Sequence, residues 1–411
     1  MLQTTTIPLS KGSLHSCTFK RIPDETRFHV VDPNVIQKVE SSGKYILTYK
    51  EPDTTYLNIH ELRKEMGSPN LDLCTEEIEE IPYLVPLSDR KIPITFFRIP
   101  NKEKQSAIVF IHGGGYIGGS TLVLQNQCRF LAEQSGATVI SIDYRLAPEA
   151  PFPAAFDDCK DVVKWLVHHA DYWNIDPNNL SIAGESAGGA LAVSCGLSEV
   201  GKYLKLVIPI YGALDVCSAS DLDYWDYDLY NVIPEHKKYV ITRLNRFRNL
   251  NGTLQNLYLN DISDAKNPMA SPLYATDLSN LSNVLMIEAE YDYFRLSNDL
   301  FAEHLWNADI PCEVIRYQGM DHGFYDRLGY CEQTKDMNSW FVRIHFCFFL
   351  YIFQFICVTI DSCILHEERK IKMNNNKEFL ATEPIGKLLL RLAIPTLAAQ
   401  MINMLYNIID R

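Results

Sequence analysis

The chain has 411 residues, 47% of them hydrophobic and 22% charged, and this ordinary globular balance excludes global disorder and a fibrous repeat. Its 38 basic and 51 acidic residues give a net charge of -13, which argues against binding to nucleic acid or to an anionic membrane surface. The 11 cysteines show no C-x-x-C spacing, so we expect reduced thiols and no zinc or redox site. The first 17 residues lack the apolar stretch of a signal peptide, and we therefore expect a cytoplasmic protein.

Short apolar runs alternate with helical patterns along the middle of the chain. The first 90 residues are mixed and polar, with a charged helix predicted at 57–66. The predicted strands cover 92–97, 107–111, 138–142, 180–183, 206–210, 284–288 and 312–317. Near-continuous apolar runs of this length indicate strands buried on both faces of a parallel sheet. Helical periodicity between them, as at 155–169, predicts an α/β fold with a mostly parallel central sheet flanked by helices.

Residues 215–265 interrupt this alternation. An acidic, aromatic-rich run at 221–230 is followed by a basic helical run at 236–248, and the whole segment is too long for a plain loop. We interpret it as a cap over the sheet edge that carries the active site, although a surface insertion without a role remains an alternative. Trp225, Tyr227 and Tyr230 are candidates to line the entrance, and packing inside the cap is the competing interpretation.

A G-x-S-x-G pattern follows the strand predicted at 180–183. It consists of Gly184, Glu185, Ser186, Ala187 and Gly188, and a run of small residues with helical character comes next. This strand–turn–helix context suits a nucleophilic serine, because the glycines leave room for a strained turn that exposes the hydroxyl. The pattern therefore predicts Ser186 as a nucleophile.

Three glycines come directly after the strand predicted at 107–111, in the sequence His112 to Tyr116 (HGGGY). Glycines let the main chain approach a bound acyl group and direct N–H groups at it. An acyl-transfer enzyme needs such donors where the oxyanion develops. A flexible turn is the alternative interpretation.

A serine nucleophile needs a base, and the base needs a carboxylate that orients it. His322 lies between glycines in the loop that follows the strand at 312–317. Asp292 and Glu290 follow the strand at 284–288, and we prefer Asp292 because it lies deeper in the loop. Asp321, beside the histidine, is interpreted as a loop-capping residue. The predicted triad is Ser186, Asp292 and His322, in the chain order expected for this arrangement.

These motifs together resemble the hormone-sensitive-lipase-like branch of the α/β-hydrolase superfamily. The resemblance covers about residues 80–335 and rests on HGGGY at 112–116, DYRLAP at 143–148, ESAGG at 185–189, EYD at 290–292 and DHGF at 321–324. It implies a carboxylesterase or lipase with a Ser186–Asp292–His322 triad and an oxyanion hole formed by Gly113, Gly114 and the amide of Ala187. It also implies a cap built from about residues 1–75 and the 215–265 segment. Glu185 departs from the family pattern, in which many members have aspartate.

The implied reaction is hydrolysis of short-chain carboxylic esters through an acyl-enzyme, without a metal or cofactor. Its partner is a small-molecule ester, with Tyr116, Trp225 and Tyr227 predicted to contact it; neither the alcohol part nor the oligomeric state can be read from the sequence. A non-catalytic ligand receptor of the same fold is the alternative, but such receptors lose the triad histidine, and His322 is present.

The sequence after residue 340 has a different character from the predicted hydrolase domain, 1–340. Residues 346–360 carry no charge, but the run is shorter than the ~20 residues of a membrane-spanning helix. Residues 373–411 resemble the start of a multidrug and toxic compound extrusion transporter, through EPIGK at 383–387 and YNIIDR at 406–411. We interpret 341–372 as translated sequence between two joined reading frames. The alternative is a membrane-anchored esterase held by residues 346–360 and 385–409.

Overall fold

The computed structural model describes residues 2–8, 16–49, 58–100 and 103–340. The predictions for the junction at 341–372 and for the transporter-like segment at 373–411 lie outside the described residues. Within the described ranges, no helix combines the length and apolar character needed to cross a membrane.

A ten-stranded sheet forms the centre of the described part of the chain. Its strands are β1 (Thr4–Pro8), β2 (Ser16–Lys20), β3 (Glu79–Pro86), β4 (Lys91–Arg98), β5 (Gln105–Ile111), β6 (Thr138–Ile142), β7 (Ile175–Glu185), β8 (Leu204–Ile210), β9 (Val284–Tyr291) and β10 (Cys312–Asp321). The spatial order is β1-β2-β10-β9-β8-β7-β5-β6-β4-β3. The parallel part of the sheet consists of seven neighbouring strands, β2, β10, β9, β8, β7, β5 and β6. Strand β1 at one edge, and β4 and β3 at the other, are added in antiparallel pairs. The predicted mostly parallel sheet is confirmed.

Helices cover the sheet between successive strands. They are α1 (Pro33–Ser42), α2 (Ile59–Lys64), α3 (Gln125–Ser135), α4 (Ala154–His169), α5 (Ala187–Leu197), α6 (Lys237–Tyr258) and α7 (Arg295–Asn307), and residues 332–340 are also helical. Helix α3 packs on β4 and β6, α5 on β5, β7 and β8, and α7 on β9 and β10. Every residue of α5 is buried, and its small side chains let it lie close to the centre of the sheet.

The first 75 residues differ from the prediction that they belong to the cap. Residues 4–8 and 16–20 form strands at one edge of the sheet, where β2 pairs in parallel with β10. The amine of Lys20 is buried and lies 2.9 Å from the Asp336 carboxylate, which ties this edge to the helix at 332–340. Helix α1 fits the cap prediction better, because the Tyr239 hydroxyl of α6 donates to the Glu40 carboxylate at its end, over 2.6 Å.

The 215–265 segment lies between β8 and β9 and consists of short 3-10 turns and the long helix α6.

Helix α1 has clear caps at both ends. Asp32 caps its start by accepting a hydrogen bond from the amide of Asn34, and Gly43 ends it in the left-handed region. Helices α1 and α6 pack against each other and against β10 and β9, respectively. The two cap helices therefore lie near the strands whose ends carry Asp292 and His322.

Candidate active site

Ser186 occupies the tight turn between β7 and α5, with φ 56° and ψ -120°. A non-glycine residue in this region of backbone space is strained and persists only where its surroundings hold it. A Cβ atom on Gly184 would lie 2.3 Å from the Gly188 carbonyl oxygen, and one on Gly188 would lie 2.1 Å from the Ile111 carbonyl oxygen. The two glycines of the pattern are therefore required because the backbone leaves no room for a side chain.

The structure brings Ser186, Asp292 and His322 together at the carboxyl ends of β7, β9 and β10. The Nε2 atom of His322 lies 2.8 Å from the Ser186 hydroxyl oxygen, and its Nδ1 atom lies 2.7 Å from the Asp292 Oδ2 atom. The other carboxylate oxygen of Asp292 accepts a hydrogen bond from the Phe294 amide at 2.9 Å. Both oxygens of the carboxylate are thus held, which fixes the direction of the imidazole ring.

Aromatic side chains surround the His322 ring. The ring of Phe247, from α6, lies 4.3 Å from the imidazole centroid, with Tyr211 at 4.9 Å and Phe294 at 5.2 Å. These contacts exclude water from the ring and limit its rotation. No motif in the sequence marks these three aromatic residues as part of the site, although Phe247 lies in the helical run at 236–248 that predicts the cap.

The two other acidic candidates have different partners. The Glu290 Oε2 atom accepts a hydrogen bond from the Gly319 amide at 2.8 Å, so its carboxylate braces the loop before His322. Asp321 is fully buried and forms ion pairs with Arg243 and Arg327, so its interpretation as a loop cap is wrong. Burial opposes the charged form of Asp321, but the two guanidinium groups hold its pKa well below the ordinary value.

We expect Asp292→Asn to lower kcat by about 10⁴-fold, because an amide at this position favours the wrong tautomer of the histidine. Glu290→Gln should lower it by less than about tenfold, because the amide oxygen of glutamine can still accept the hydrogen bond of the Gly319 amide. Steady-state kinetics of both variants on one short ester tests this ranking. The reverse order would move the orienting role to Glu290.

The glycine loop differs from the prediction in one donor. The amide of Gly113 donates to the buried Glu185 carboxylate at 2.6 Å, so it is not free to bind an oxyanion. The amides of Gly114, Gly115 and Ala187 donate to no acceptor among the described residues. Burial and the neighbouring Asp326 carboxylate raise the pKa of Glu185 well above its ordinary value. The geometry thus replaces Gly113 by Gly115 in the predicted oxyanion hole and gives Glu185 the task of holding the loop.

The DYRLAP motif holds the same loop from the opposite side. The Tyr144 hydroxyl donates to the His112 carbonyl oxygen at 3.0 Å, and the two rings stack with centroids 4.3 Å apart. Asp143 accepts from the Thr121 amide at 2.7 Å. Each contact fixes the backbone on one side of the three glycines, which preorganises their amides.

We expect Gly114→Ala to lower kcat by about 10²–10³-fold, the usual cost of losing one oxyanion donor. Gly114 has φ +116°, and an added Cβ would lie 2.2 Å from the Gly118 carbonyl oxygen, so the loop must move. Gly136→Ala is the matched control, because it also has positive φ (+64°) but no neighbour within 4 Å of the added atom. Unchanged kcat in a folded Gly114→Ala protein would remove Gly114 from the hole.

A cavity of about 190 Å³ opens beside the Ser186 hydroxyl. Its wall is apolar next to the glycine loop, where the Tyr116 ring stacks on Tyr258 with centroids 3.8 Å apart and Leu254 also contributes. Tyr116 therefore lies where a substrate contact was predicted.

The three aromatic residues predicted at the entrance do not line this cavity. The Trp225 indole N–H donates to the Tyr293 carbonyl oxygen at 3.0 Å, and the Tyr227 hydroxyl donates to the Asn245 side chain. The Tyr230 hydroxyl donates to the Asp292 carbonyl oxygen at 2.8 Å. They pack within the cap and support the loop of the triad acid, which is the competing interpretation of the sequence.

No group of three or more histidine, cysteine, aspartate or glutamate side chains in the described ranges is arranged to hold a metal ion. The charged or titratable side chains that line the cavity include His322, three carboxyl groups (Glu65, Glu185 and Asp326) and three basic residues on α1 and α6.

Comparisons with known proteins agree with this fold. A family model for the alpha/beta hydrolase fold matches residues 108–326, more than half of the chain. An arylesterase of Saccharolobus solfataricus is 31% identical over 247 residues, covering 58% of this chain and 75% of its own. An ethyl acetate hydrolase of Pseudomonas putida is 30% identical over 253 residues, covering 60% and 74%. A solved structure of the Pyrobaculum calidifontis esterase has 28% identity and a TM-score of 0.62, covering 76% of this chain and 97% of its own.

Proposed function

The chain belongs to the alpha/beta hydrolase family whose model matches residues 108–326, and from that premise we propose that it is a serine carboxylesterase for short-chain esters. The observation that carries the proposal is the continuous path from the Ser186 hydroxyl through the His322 ring to the Asp292 carboxylate, with contacts of 2.8 and 2.7 Å. Relatives named arylesterase and ethyl acetate hydrolase support ester bonds as the target.

In the first half-reaction, Ser186 Oγ attacks the ester carbonyl carbon while His322 Nε2 accepts its proton. The carbonyl oxygen becomes an oxyanion, which the amides of Gly114, Gly115 and Ala187 stabilise in a site that needs no reorganisation. The carboxylate of Asp292 stabilises the imidazolium cation. When the tetrahedral intermediate collapses, the imidazolium gives its proton to the leaving alkoxide and the alcohol departs, leaving an acyl-serine.

In the second half-reaction, a water molecule takes the place of the alcohol. His322 accepts a proton from this water as its oxygen attacks the acyl carbon. The second tetrahedral intermediate collapses with transfer of the proton from the imidazolium to Ser186 Oγ. The carboxylic acid leaves, and the enzyme returns to its starting state without a cofactor.

Short acyl chains are the proposed substrates because the cavity is small and its wall next to the glycine loop is apolar. p-Nitrophenyl acetate and butyrate should be hydrolysed with a higher kcat/KM than the decanoate. Labelling with a fluorophosphonate, followed by peptide mass spectrometry, should place the adduct on Ser186. Saturable binding of an ester without turnover and without labelling would instead indicate a receptor of the same fold.

A further inference from the structure

Cationic side chains form one end of the cavity. Lys38 comes from α1, and Arg243 and Arg246 come from α6. The chain as a whole carries a net charge of -13, so this concentration of positive charge at the site runs against its overall composition. The cavity also contains the carboxyl groups of Glu65, Glu185 and Asp326. Burial raises the pKa of Glu185 and of Asp326, which favours the neutral forms of these two carboxyl groups.

Arg243 has a partner within the protein, because it forms an ion pair with the Asp321 carboxylate, which it shares with Arg327. Lys38 and Arg246 form no ion pair with any carboxylate in the described ranges. Burial lowers the pKa of Lys38 to about 8, which leaves its amine mostly charged at pH 7. Lys38 is half-buried and Arg246 is exposed at the rim, so both can meet a ligand that enters the cavity.

The cationic side chains adjoin the loop that carries His322. A guanidinium N–H of Arg243 donates to the His322 carbonyl oxygen at 3.3 Å, and the Phe247 ring, one helical turn further, covers the imidazole. His322 delivers the proton to the departing alkoxide, so the alcohol part of an ester must lie on its side of Ser186. The apolar wall around Tyr116 and Leu254 lies at the glycine loop, and we assign the acyl group of the ester to it.

We propose that the preferred esters carry a carboxylate on their alcohol part, and that Lys38 and Arg246 receive this carboxylate. The inference rests on the proposed esterase function and adds the chemical class of the substrate. Ammonium and guanidinium groups form charge-assisted hydrogen bonds with carboxylates.

The test uses two ester pairs that differ in one carboxylate. The first pair, 4-acetoxybenzoate and its methyl ester, places the charge on the alcohol part. The second pair, monophenyl adipate and phenyl hexanoate, places it on the acyl part. For each pair, the ratio of kcat/KM for the charged ester to that for the neutral ester is measured in the wild type and in each variant at low salt.

We expect Lys38→Gln and Arg246→Gln each to lower the ratio for the acetoxybenzoate pair by about tenfold, the loss typical of one charge-assisted hydrogen bond. Arg246→Glu should lower it further, because the rim then repels the carboxylate. Lys237→Gln is the matched control, since it removes one exposed positive charge from the same helix outside the cavity and should leave the ratio at the wild-type value. Raising the ionic strength should reduce the wild-type ratio.

Three results have distinct meanings. If the neutral esters are not hydrolysed by the wild type, the esterase function itself fails. If they are hydrolysed but the Arg246→Gln and Arg246→Glu ratios match that of Lys237→Gln, the carboxylate site is wrong. If the variants change the ratio of the adipate pair and not that of the acetoxybenzoate pair, the cations serve the acyl side and the assignment to the alcohol part is overturned.

Discussion

Ser186→Ala is expected to lower kcat for short esters by about 10⁴-fold or more, because no other group can form the acyl-enzyme. The protein should remain folded, since alanine accepts the backbone conformation at this turn no less readily than serine and the hydroxyl makes its side-chain contact with His322 alone among the described residues. Ester hydrolysis, the melting temperature and fluorophosphonate labelling should be measured on the same preparation.

Ser194→Ala is the matched control for this experiment. Ser194 is a buried serine on the same helix, α5, where its hydroxyl donates to the Ala190 carbonyl oxygen at 2.9 Å, and it does not line the cavity. It should keep wild-type turnover. If the Ser186→Ala protein is folded and retains more than a few per cent of wild-type activity, Ser186 is not the nucleophile.

His322→Ala should reduce turnover as severely as the serine variant, by about 10⁴-fold or more. The loss of the base leaves the Ser186 hydroxyl protonated, and among the described residues no other histidine lines the cavity. The Ser186→Ala/His322→Ala double variant should be hardly slower than either single variant, because the two side chains act as one unit.

The double-variant comparison is the sharper part of this test. If the losses in the two single variants add in the double variant, His322 acts independently of the serine, and the proposed proton transfer is wrong. His304→Ala provides a control for histidine removal, because His304 lies on α7 outside the cavity near Ser186. That variant should hydrolyse the same ester at the wild-type rate.

The central strands and the turn at Ser186 could be predicted from the sequence because each depends on residues that are close together in the chain. The run at 107–111 is continuously apolar and the run at 138–142 nearly so, and the structure buries every residue of both. The turn at Ser186 needs glycine on both sides for steric reasons within a few residues. The chain order of serine, acid and histidine then predicted that the loops carrying these three residues lie together at the carboxyl ends of the parallel strands.

The edge strands lacked such a signal. Strand β3, at one edge, has a burial pattern with one buried position in eight, and β1, at the other edge, lies in the polar N-terminal segment that we predicted as cap. An edge strand pairs on one side and faces water on the other, so its sequence need not be apolar. Its place in the sheet is decided by the neighbour with which it pairs.

The sequence by itself determined the class of fold and the three residues proposed for the triad, because glycine spacing and apolar periodicity act over short stretches of chain. Only the tertiary structure decided that Glu185 occupies the Gly113 amide, that Asp321 is buried between two arginines, and that Tyr230 supports the acid loop. Arg243 is 78 positions from Asp321 along the chain, and Lys38 is on a different helix from Arg246. Tertiary packing decides which residues so far apart in sequence come into contact. A local sequence pattern therefore does not predict which charged side chains form an ion pair.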